Sequence, residues 1–380
     1  MRIFISALRF VPGRTLGGEV YLHSLLKELA EIRTDHRIAI AASVEGAAWI
    51  QNITSAFEVF AQKIPTSAVM RAFHERASVE RLARNWQADV VFFPAGVMPK
   101  INFPSVLMIQ DLVNEFYCRR FPGFRPVYYR TVRYLTRKSI RRADVVLTTT
   151  RAISNELEAL RIVNDRQRIF VVPLGARAKL LPAERPTNLP RGDKLLILQP
   201  GDHLPHKSHH VGIEAMATLR RRFPATFARA QLILTSGVYA DAPLRRFAER
   251  EKLQDSVFFL GKVAESELEW LWQHSAAACF PTIYEGYGLG VVEAQLRQTP
   301  VIASDIPVLR EVSGGAAAFF RAEDAGDLAN TIHRLLNDER ERQILRQKGF
   351  ENARGKSWRE YAEQILQILA ATAAAKKSNQ

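Results

Sequence analysis

The chain of 380 residues exceeds what one hydrophobic core usually organises, so two domains are expected. Its 47% apolar and 24% charged content excludes disordered and fibrous classes. Cys118 and Cys279 match no metal-binding or redox spacing, which excludes a disulfide framework and predicts buried reduced thiols. With no apolar run long enough to span a membrane and no signal-peptide pattern at "MRIFISALRF", a cytoplasmic protein is expected.

Short β-branched or aromatic runs alternate with helical patterns along the whole chain. They are "RIFISA", "RIAIAAS", "DVVFFP", "SVLMIQ", "DVVLTTT" and "RIFVV" in the first half, then "KLLILQPG", "AQLILTSG", "SVFFLG", "AACFPT", "PVIAS" and "AAFF". The alternation predicts α/β domains with parallel sheets and crossover helices, about six strands in each half. Ligands of such sheets bind beyond the carboxyl ends of the strands, so residues just after a strand are the candidates for chemistry.

After the first strand, "RFVPGRTLGGEVYLHSLLKEL" places Gly17 and Gly18 where a helix opens. A glycine pair there lets backbone amides approach a ligand, although glycines are also common at turns for geometry alone. "VLMIQDLVNEFY" puts Gln110 and Asp111 at a strand's carboxyl end; Asp111 reads equally as a helix N-cap.

The formal charge of +14 is unevenly spread, because residues 119–142 hold nine Arg or Lys and no acid. Residues 126–142 predict a basic amphipathic helix with Tyr128, Val132 and Leu135 on one stripe. Either that face is merely solvated, or Arg119–Arg142 meets an anionic membrane or acceptor. Nucleic acid is not expected as a partner, since no zinc-finger, RRM or bZIP signature accompanies the charge.

Residues 175–194, "GARAKLLPAERPTNLPRGDK", contain three prolines and two glycines without apolar periodicity, and predict an interdomain linker. The expected organisation is domain 1–175, linker 176–193, domain 194–356 and a terminal helix 357–380. That helix opens on Ser357 with Glu360 in the capping-box position, and "KKSNQ" reads as a frayed tail.

In the second half, "QPGDHLPHKSHH" sets Lys207 in a strand-to-helix loop, where an ammonium can neutralise phosphate. His203, His206, His209 and His210 nearby have no acidic partner at a metal-ligand spacing. Further on, "FPTIYEGYGLGVVEAQLRQTPVIAS" reads as strand, turn and helix. Gly286 and Gly288 allow a tight turn, and the new helix offers unpaired N–H groups on Leu289, Gly290 and Val291, a diphosphate-sized anion site. Glu285 precedes that turn and Glu293 follows it inside the helix. On one continuous helix they would lie about 12 Å apart, beyond the roughly 5–9.5 Å of a glycosidase pair. The pair therefore suggests carboxylates that bind hydroxyls. The alternative is an acid placed near a helix N-terminus for the dipole, for which Glu293 sits too deep.

With these residues in view, nearly the whole chain resembles the GT-B glycosyltransferases of the large retaining family numbered four. The resemblance rests on the E-x7-E stretch "EGYGLGVVE" with "AQLRQTPVIASDIPVLREVSGGAAAFF" after it, the Gly-Gly loop, "PHK", "VVPLGA" and "SWREYAEQIL". It implies the GT-B fold, two doubly wound Rossmann-like domains facing across a cleft, with acceptor binding in the first and nucleotide-sugar binding in the second. The terminal helix would cross back to brace the first domain. It implies donor-binding roles for Gly17, Gly18, Gly201, Lys207, Lys262, Val263, Glu285, Gly286, Tyr287, Gly288, Leu289, Gly290 and Glu293, with Glu285 on the donor sugar, Glu293 on the ribose and Lys207 on the diphosphate. The catalytic candidates are Glu285, Lys207, Gln110 and Asp111. Retention of anomeric configuration is implied, with no enzymic nucleophile.

No cofactor and no metal are expected beyond the nucleotide-sugar donor, since the sequence has no Asp-x-Asp. A mannosyl transfer from GDP-mannose to a glycan or lipid-linked acceptor, in surface polysaccharide synthesis, rests on family likeness alone, as does peripheral placement on the inner face of the membrane. Two departures stand out. The stretch before Lys207 lacks the Arg many relatives carry, and Gln110 occupies a position where many have His; Gln hydrogen-bonds but does not shuttle a proton. A GT-B epimerase, a phosphorylase and a non-catalytic nucleotide-sugar-binding protein remain as alternatives.

Overall fold

The computed structural model describes residues 1–10, 12, 16–65, 68–164, 167–177, 181–235 and 242–377. Two compact units emerge, Met1–Gly175 with Ser357–Gln380, and Ala176–Lys356. Of the segment 176–193, expected as an interdomain linker, the described residues belong to the second unit: Glu184 N donates to Ser266 O (3.1 Å) and Asn188 Nδ2 to Leu260 O (3.2 Å). Residues 178–180 of that segment and 378–380 of the tail lie outside the described residues.

The first unit opens with β1 (Arg2–Ser6), α1 (Leu16–Glu31), β2 (Arg37–Ser43), α2 (Val44–Ile53), β3 (Glu58–Gln62), α3 (Ala68–Asn85), β4 (Val90–Phe93) and β5 (Ser105–Ile109). It continues through α4 (Val113–Arg120), α5 (Pro126–Ile140), β6 (Val145–Thr148), α6 (Arg151–Ala159) and β7 (Arg168–Val171). The strands form one parallel sheet in the order β3-β2-β1-β4-β5-β6-β7, with Phe4 facing Ala39 on one side and Val91 on the other. Central strands such as β4 and β6 are buried along their length, which is why they read as unbroken apolar runs. The edge strand β3, "EVFAQ", has only exposed and half-buried positions and carries Glu and Gln, and it is the strand the sequence pattern does not reveal.

The phase of α5 differs from expectation. Tyr129, Thr136, Ser139 and Ile140 are buried, whereas Tyr128, assigned to the apolar stripe, is 56% exposed; Val132 and Leu135 are half-buried. The inward row is set by Tyr129, which stacks on Tyr117 at a centroid distance of 4.3 Å and an interplanar angle of 4°. Cys118 is half-buried rather than buried, while Cys279 is buried and its thiol is pushed up by desolvation.

In the second unit β8 (Leu195–Gln199) leads through a 3₁₀ turn (Pro205–Lys207) into α7 (His209–Arg222), α8 (Pro224–Arg229), β9 (Ala230–Thr235), α9 (Ala242–Arg250), β10 (Val257–Gly261) and α10 (Glu265–His274). Then come β11 (Ser275–Phe280), α11 (Leu289–Leu296), β12 (Val301–Ser304), α12 (Pro307–Val312), β13 (Ala318–Phe320), α13 (Ala325–Asn337) and α14 (Glu339–Arg354). The sheet is parallel, in the order β10-β9-β8-β11-β12-β13. Apolar clusters cover both of its faces, one including Ile197, Leu232 and Leu328, the other Leu198, Ile233 and Leu271.

The last helix, α15 (Trp358–Lys377), belongs to the first unit, where it packs on α1, β4 and β5. Ser357 Oγ accepts from Arg359 N (3.1 Å) and Glu360 N (3.4 Å), so the serine caps the helix. Tyr361 and Tyr21 join hydroxyls at 2.9 Å inside the core. A Cβ at Gly175 would lie 2.2 Å from Trp358 N, so only glycine lets the outgoing chain pass the returning one.

Candidate active site

A doubly wound sheet binds ligands where its winding reverses. In the second unit the chain runs from β8 outward to β9 and β10, then returns to the other side of β8 as β11, so the reversal lies between β8 and β11. The loop after β8 carries Lys207, and the loop after β11 carries Glu285. The two loops are tied together by backbone. Ile283 N donates to His206 O (2.8 Å), and the buried Thr282 hydroxyl donates to the same oxygen (2.9 Å) while lying 2.8 Å from Tyr284 O. Ser208, with φ of +49° at the junction of the 3₁₀ turn and α7, redirects the chain at the cost of a conformation that side chains other than glycine seldom adopt.

This framework brings Lys207 and Glu285 into contact. Lys207 Nζ donates to Glu285 Oε1 at 2.5 Å, with side-chain exposures of 27% and 13%. An ammonium and a carboxylate thus share the reversal point, each accessible to a ligand. His206 itself points inward, and burial first, then the charge of Lys207, lowers its pKa to about 3. His209 is held well below the ordinary imidazole range by burial and by His203, whose ring lies 4.7 Å from its own. Both are therefore neutral near pH 7. Among the described residues no group of three or more His, Cys, Asp or Glu is arranged to share a cation.

The glycines around α11 serve packing as well as access. Gly288 is the N-cap with φ of +92°, and a Cβ there would approach Leu309 Cδ2 at 3.0 Å. A Cβ on Gly290 would come within 2.8 Å of Phe280 Cε1, so the helix starts directly against the strand it leaves. One expectation is corrected here: Val291 N donates to Gly288 O (2.9 Å), which closes the first turn and leaves Leu289 and Gly290 as the amide candidates. Tyr287 is buried, its hydroxyl pushed up by desolvation and then by Glu311. Gly286 lies in the turn itself.

Glu293 is the fifth residue of α11 and is half-buried. Desolvation raises its pKa, opposed by Arg297 and Arg177 and assisted by Glu265 and Glu269. These neighbours form a linked set that the sequence reading missed. Arg297 and Glu269, with side chains 3% and 2% exposed, are joined through Nη2–Oε2 (2.8 Å) and Nε–Oε1 (3.1 Å). Arg297 Nη1 also donates to Arg177 O (2.9 Å), and Arg177 in turn pairs with Glu265 (2.8 Å). Burial pushes Glu269 up, but its hydrogen bonds from Arg297 and Gln273 outweigh that and hold it low. The i, i+4 spacing of Glu293 and Arg297 was the available signal.

The other candidates also follow strands of these sheets. Gly201, with φ of +108°, lies two residues beyond the end of β8, its N donating to Thr235 Oγ1 (3.4 Å). Lys262, exposed, and Val263, half-buried, follow β10. In the first unit the winding reverses between β1 and β4, and Gly17 and Gly18 lie in the first turn of α1, after β1; a Cβ on Gly17 would meet nothing within 4 Å. Gln110 and Asp111 follow β5. Gln110 Nε2 donates to Pro94 O (3.3 Å); the N-cap of α4 is Leu112 rather than Asp111, which stands one residue earlier and accepts from Val113 N through Oδ1 (3.0 Å).

Two parallel Rossmann-like sheets flanked by helices, with polar candidates at the carboxyl ends of the strands, define the GT-B class of fold. A solved structure of this class, Anabaena Alr3699/HepE in complex with UDP-glucose, matches with a TM-score of 0.71 at 16% identity, over 98% of this chain and 100% of that one. Family models described as "Glycosyltransferase Family 4" and "Glycosyl transferases group 1" match residues 16–179 and 182–352. The chain belongs to the family 4, group 1 glycosyltransferases. It is similar to the O-antigen chain mannosyltransferase B of Escherichia coli, 26% identical over 78% of this chain and 77% of that protein. It is also similar to the D-inositol 3-phosphate glycosyltransferase of Nocardia farcinica, 27% identical over 62% of this chain; the match spans about half, 55%, of that relative's length.

Proposed function

We propose that the protein is a retaining, metal-independent hexosyltransferase that moves a sugar from a nucleotide donor to a glycan or lipid-linked acceptor in surface polysaccharide synthesis. The observation that carries this reading is the Lys207–Glu285 contact between the two loops at the reversal of the donor-side sheet. A diphosphate leaving group needs positive charge and amide donors, which Lys207 and the start of α11 supply. A sugar needs hydroxyl acceptors, which Glu285 and Glu293 supply. The mannosyltransferase among the relatives favours mannose from GDP-mannose, and the neighbour that holds UDP-glucose favours a nucleotide sugar as the donor class.

In the proposed step the bond between the anomeric carbon and the diphosphate oxygen breaks while the acceptor hydroxyl oxygen bonds to that carbon from the same face. The hydroxyl proton passes to the departing phosphate oxygen, so no protein nucleophile and no shuttle at Gln110 is required. Lys207 stabilises the charge that develops on the diphosphate, the role a metal ion plays elsewhere. Cytoplasmic placement with peripheral contact at the membrane belongs to the same proposal.

Thermal-shift measurements with UDP-, GDP-, ADP- and dTDP-sugars test the donor assignment, because a ligand of the folded state raises its melting temperature by mass action. GDP-mannose is expected to give the largest shift, and transfer to acceptor to yield the α-anomer from the α-linked donor. Conversion of the donor without an acceptor would indicate an epimerase, dependence on inorganic phosphate a phosphorylase, and binding without either a non-catalytic role.

A further inference from the structure

The nine basic residues of 119–142 do not form one uniform surface. Arg119, Arg133 and Arg137 pair with acids of the fold. Arg119 pairs with Glu156 (3.1 Å), and the buried Glu115 carboxylate receives Arg137 through Nε and Nη2 (2.9 Å for the latter) and has Arg133 at 3.7 Å. These pairs on one side of α5, with the Tyr129–Tyr117 stack, fix the helix about its own axis. Arg125, at φ of +44°, turns the chain just before α5, so Phe124 packs inward near Tyr117 while Val127 and Tyr128 face out.

The outward face is unusual for a solvated one. Of the six large apolar side chains exposed among the described residues, three lie within eight positions of this helix: Val127 at 78%, Tyr134 at 60% and Tyr128 at 56%. Val127, Tyr134 and Arg141 follow each other at intervals of seven, with Arg130 and Lys138 beside them, so apolar and cationic groups share one stripe. Lys138 Nζ reaches the Tyr134 hydroxyl (3.1 Å) and sits 5.3 Å from its ring centroid. Amphipathic rings among long basic side chains suit a boundary that is polar and anionic outside and apolar beneath, since Tyr places its ring below and its hydroxyl above, and Lys and Arg extend to the charged layer. A glycan acceptor would use the charge but leave Val127 and Tyr128 unaccounted for.

We propose that this face of α5 docks on an anionic lipid surface, with Val127, Tyr128 and Tyr134 entering the headgroup layer and Arg130, Lys138 and Arg141 meeting lipid phosphates. The docking deepens the membrane part of the proposed function but is independent of the donor chemistry, and its test contains no nucleotide sugar. Arg133 and Arg137 are structural and lie outside the contact.

The test is co-sedimentation of the full chain with phosphatidylcholine vesicles, with and without phosphatidylglycerol, at low and high salt. Wild type should bind only the anionic vesicles and keep part of that binding at high salt, where exposed charges are screened. Neutralising Arg130, Lys138 and Arg141 to Gln should weaken binding at low salt at least about fivefold. Changing Val127, Tyr128 and Tyr134 to Ser should abolish the salt-resistant part. A dye attached at Tyr128→Cys should shift to the blue on anionic vesicles. Circular dichroism and melting temperature check that each variant is folded, and neutralising the exposed Arg246, Arg340 and Lys348 should leave binding unchanged. Equal binding to neutral vesicles, an equal loss in the control variant, salt-resistant binding that survives the Ser changes, or a face that instead mediates dimerisation of this chain would each overturn the inference.

Discussion

Lys207 and Glu285 are each other's counter-ion, and the proposed donor would have to rearrange that pair. Replacing Glu285 by Gln keeps the side chain's size and one acceptor while removing its charge. Turnover of the nucleotide sugar should fall at least about tenfold, a lost hydrogen bond to a charged acceptor being worth about 1.5–3 kcal/mol; melting temperature measured alongside should stay within a degree or two of wild type. His206 makes a separate, pH-dependent prediction. Its folded pKa of about 3 lies below the ordinary 6.5, so unfolding takes up a proton between those values, and stability that is complete above pH 6.5 declines as pH falls through the window. Between pH 6.5 and about pH 5 this one group should cost about 2 kcal/mol. Chemical denaturation of His206→Asn, which keeps the backbone carbonyl that Thr282 and Ile283 use, should show a flatter pH dependence. At this scale the sequence made Lys207, Glu285 and Glu293 visible, because glycines and a strand-turn-helix pattern surround them. It did not reveal the Thr282 clamp on His206 O or the Glu269–Arg297 pair, whose partners are 76 and 28 positions apart.

Among the elements, α11 shows how packing and access are combined. Gly290 abuts the Phe280 ring, so Gly290→Ala should push the helix start away from β11. A cost of about 1–3 kcal/mol is expected from overpacking, with weaker nucleoside diphosphate binding because the helix amides move with it. The measurements are a denaturation curve and a diphosphate titration; unchanged stability and affinity together would show that the ring yields without consequence. Behind α11, Arg297→Met would leave Glu269 as a buried carboxylate without its partner, and a loss of about 3–5 kcal/mol is expected by denaturant unfolding. Central strands and the long amphipathic helices were legible as elements because burial on two faces or one writes itself into hydropathy. The edge strand β3 was not, since half-exposed positions admit Glu and Gln. In α5 the element was legible but its rotation was not: Tyr128 and Tyr129 are chemically equivalent neighbours, and the choice between them is made by Tyr117 and Glu115, which lie outside the helix.

For the molecule as a whole, a helix that returns from the far end of the chain completes the first unit. At the Gly175–Trp358 crossing a Cβ on the glycine would lie 2.2 Å from Trp358 N. Gly175→Ala should therefore lower the melting temperature by several degrees, on the order of 2 kcal/mol or more, and limited proteolysis should release α15 more readily. The two-sheet architecture was legible from the alternation of strands and helices and from the E-x7-E resemblance, while the packing of Glu184 and Asn188 onto the second unit depended on contacts with Ser266 and Leu260 that no local pattern announces.

In the proposed function, Lys207 is the cationic side chain that holds the donor's diphosphate at the reversal between β8 and β11. Calorimetric titration of GDP and UDP into wild type, Lys207→Ala and Glu285→Gln tests this most directly. Loss of the ammonium should weaken the preferred nucleotide at least about tenfold, whereas loss of the neighbouring carboxylate, which repels phosphate, should leave affinity equal or greater. An unchanged dissociation constant in Lys207→Ala, with the variant folded, would contradict the account.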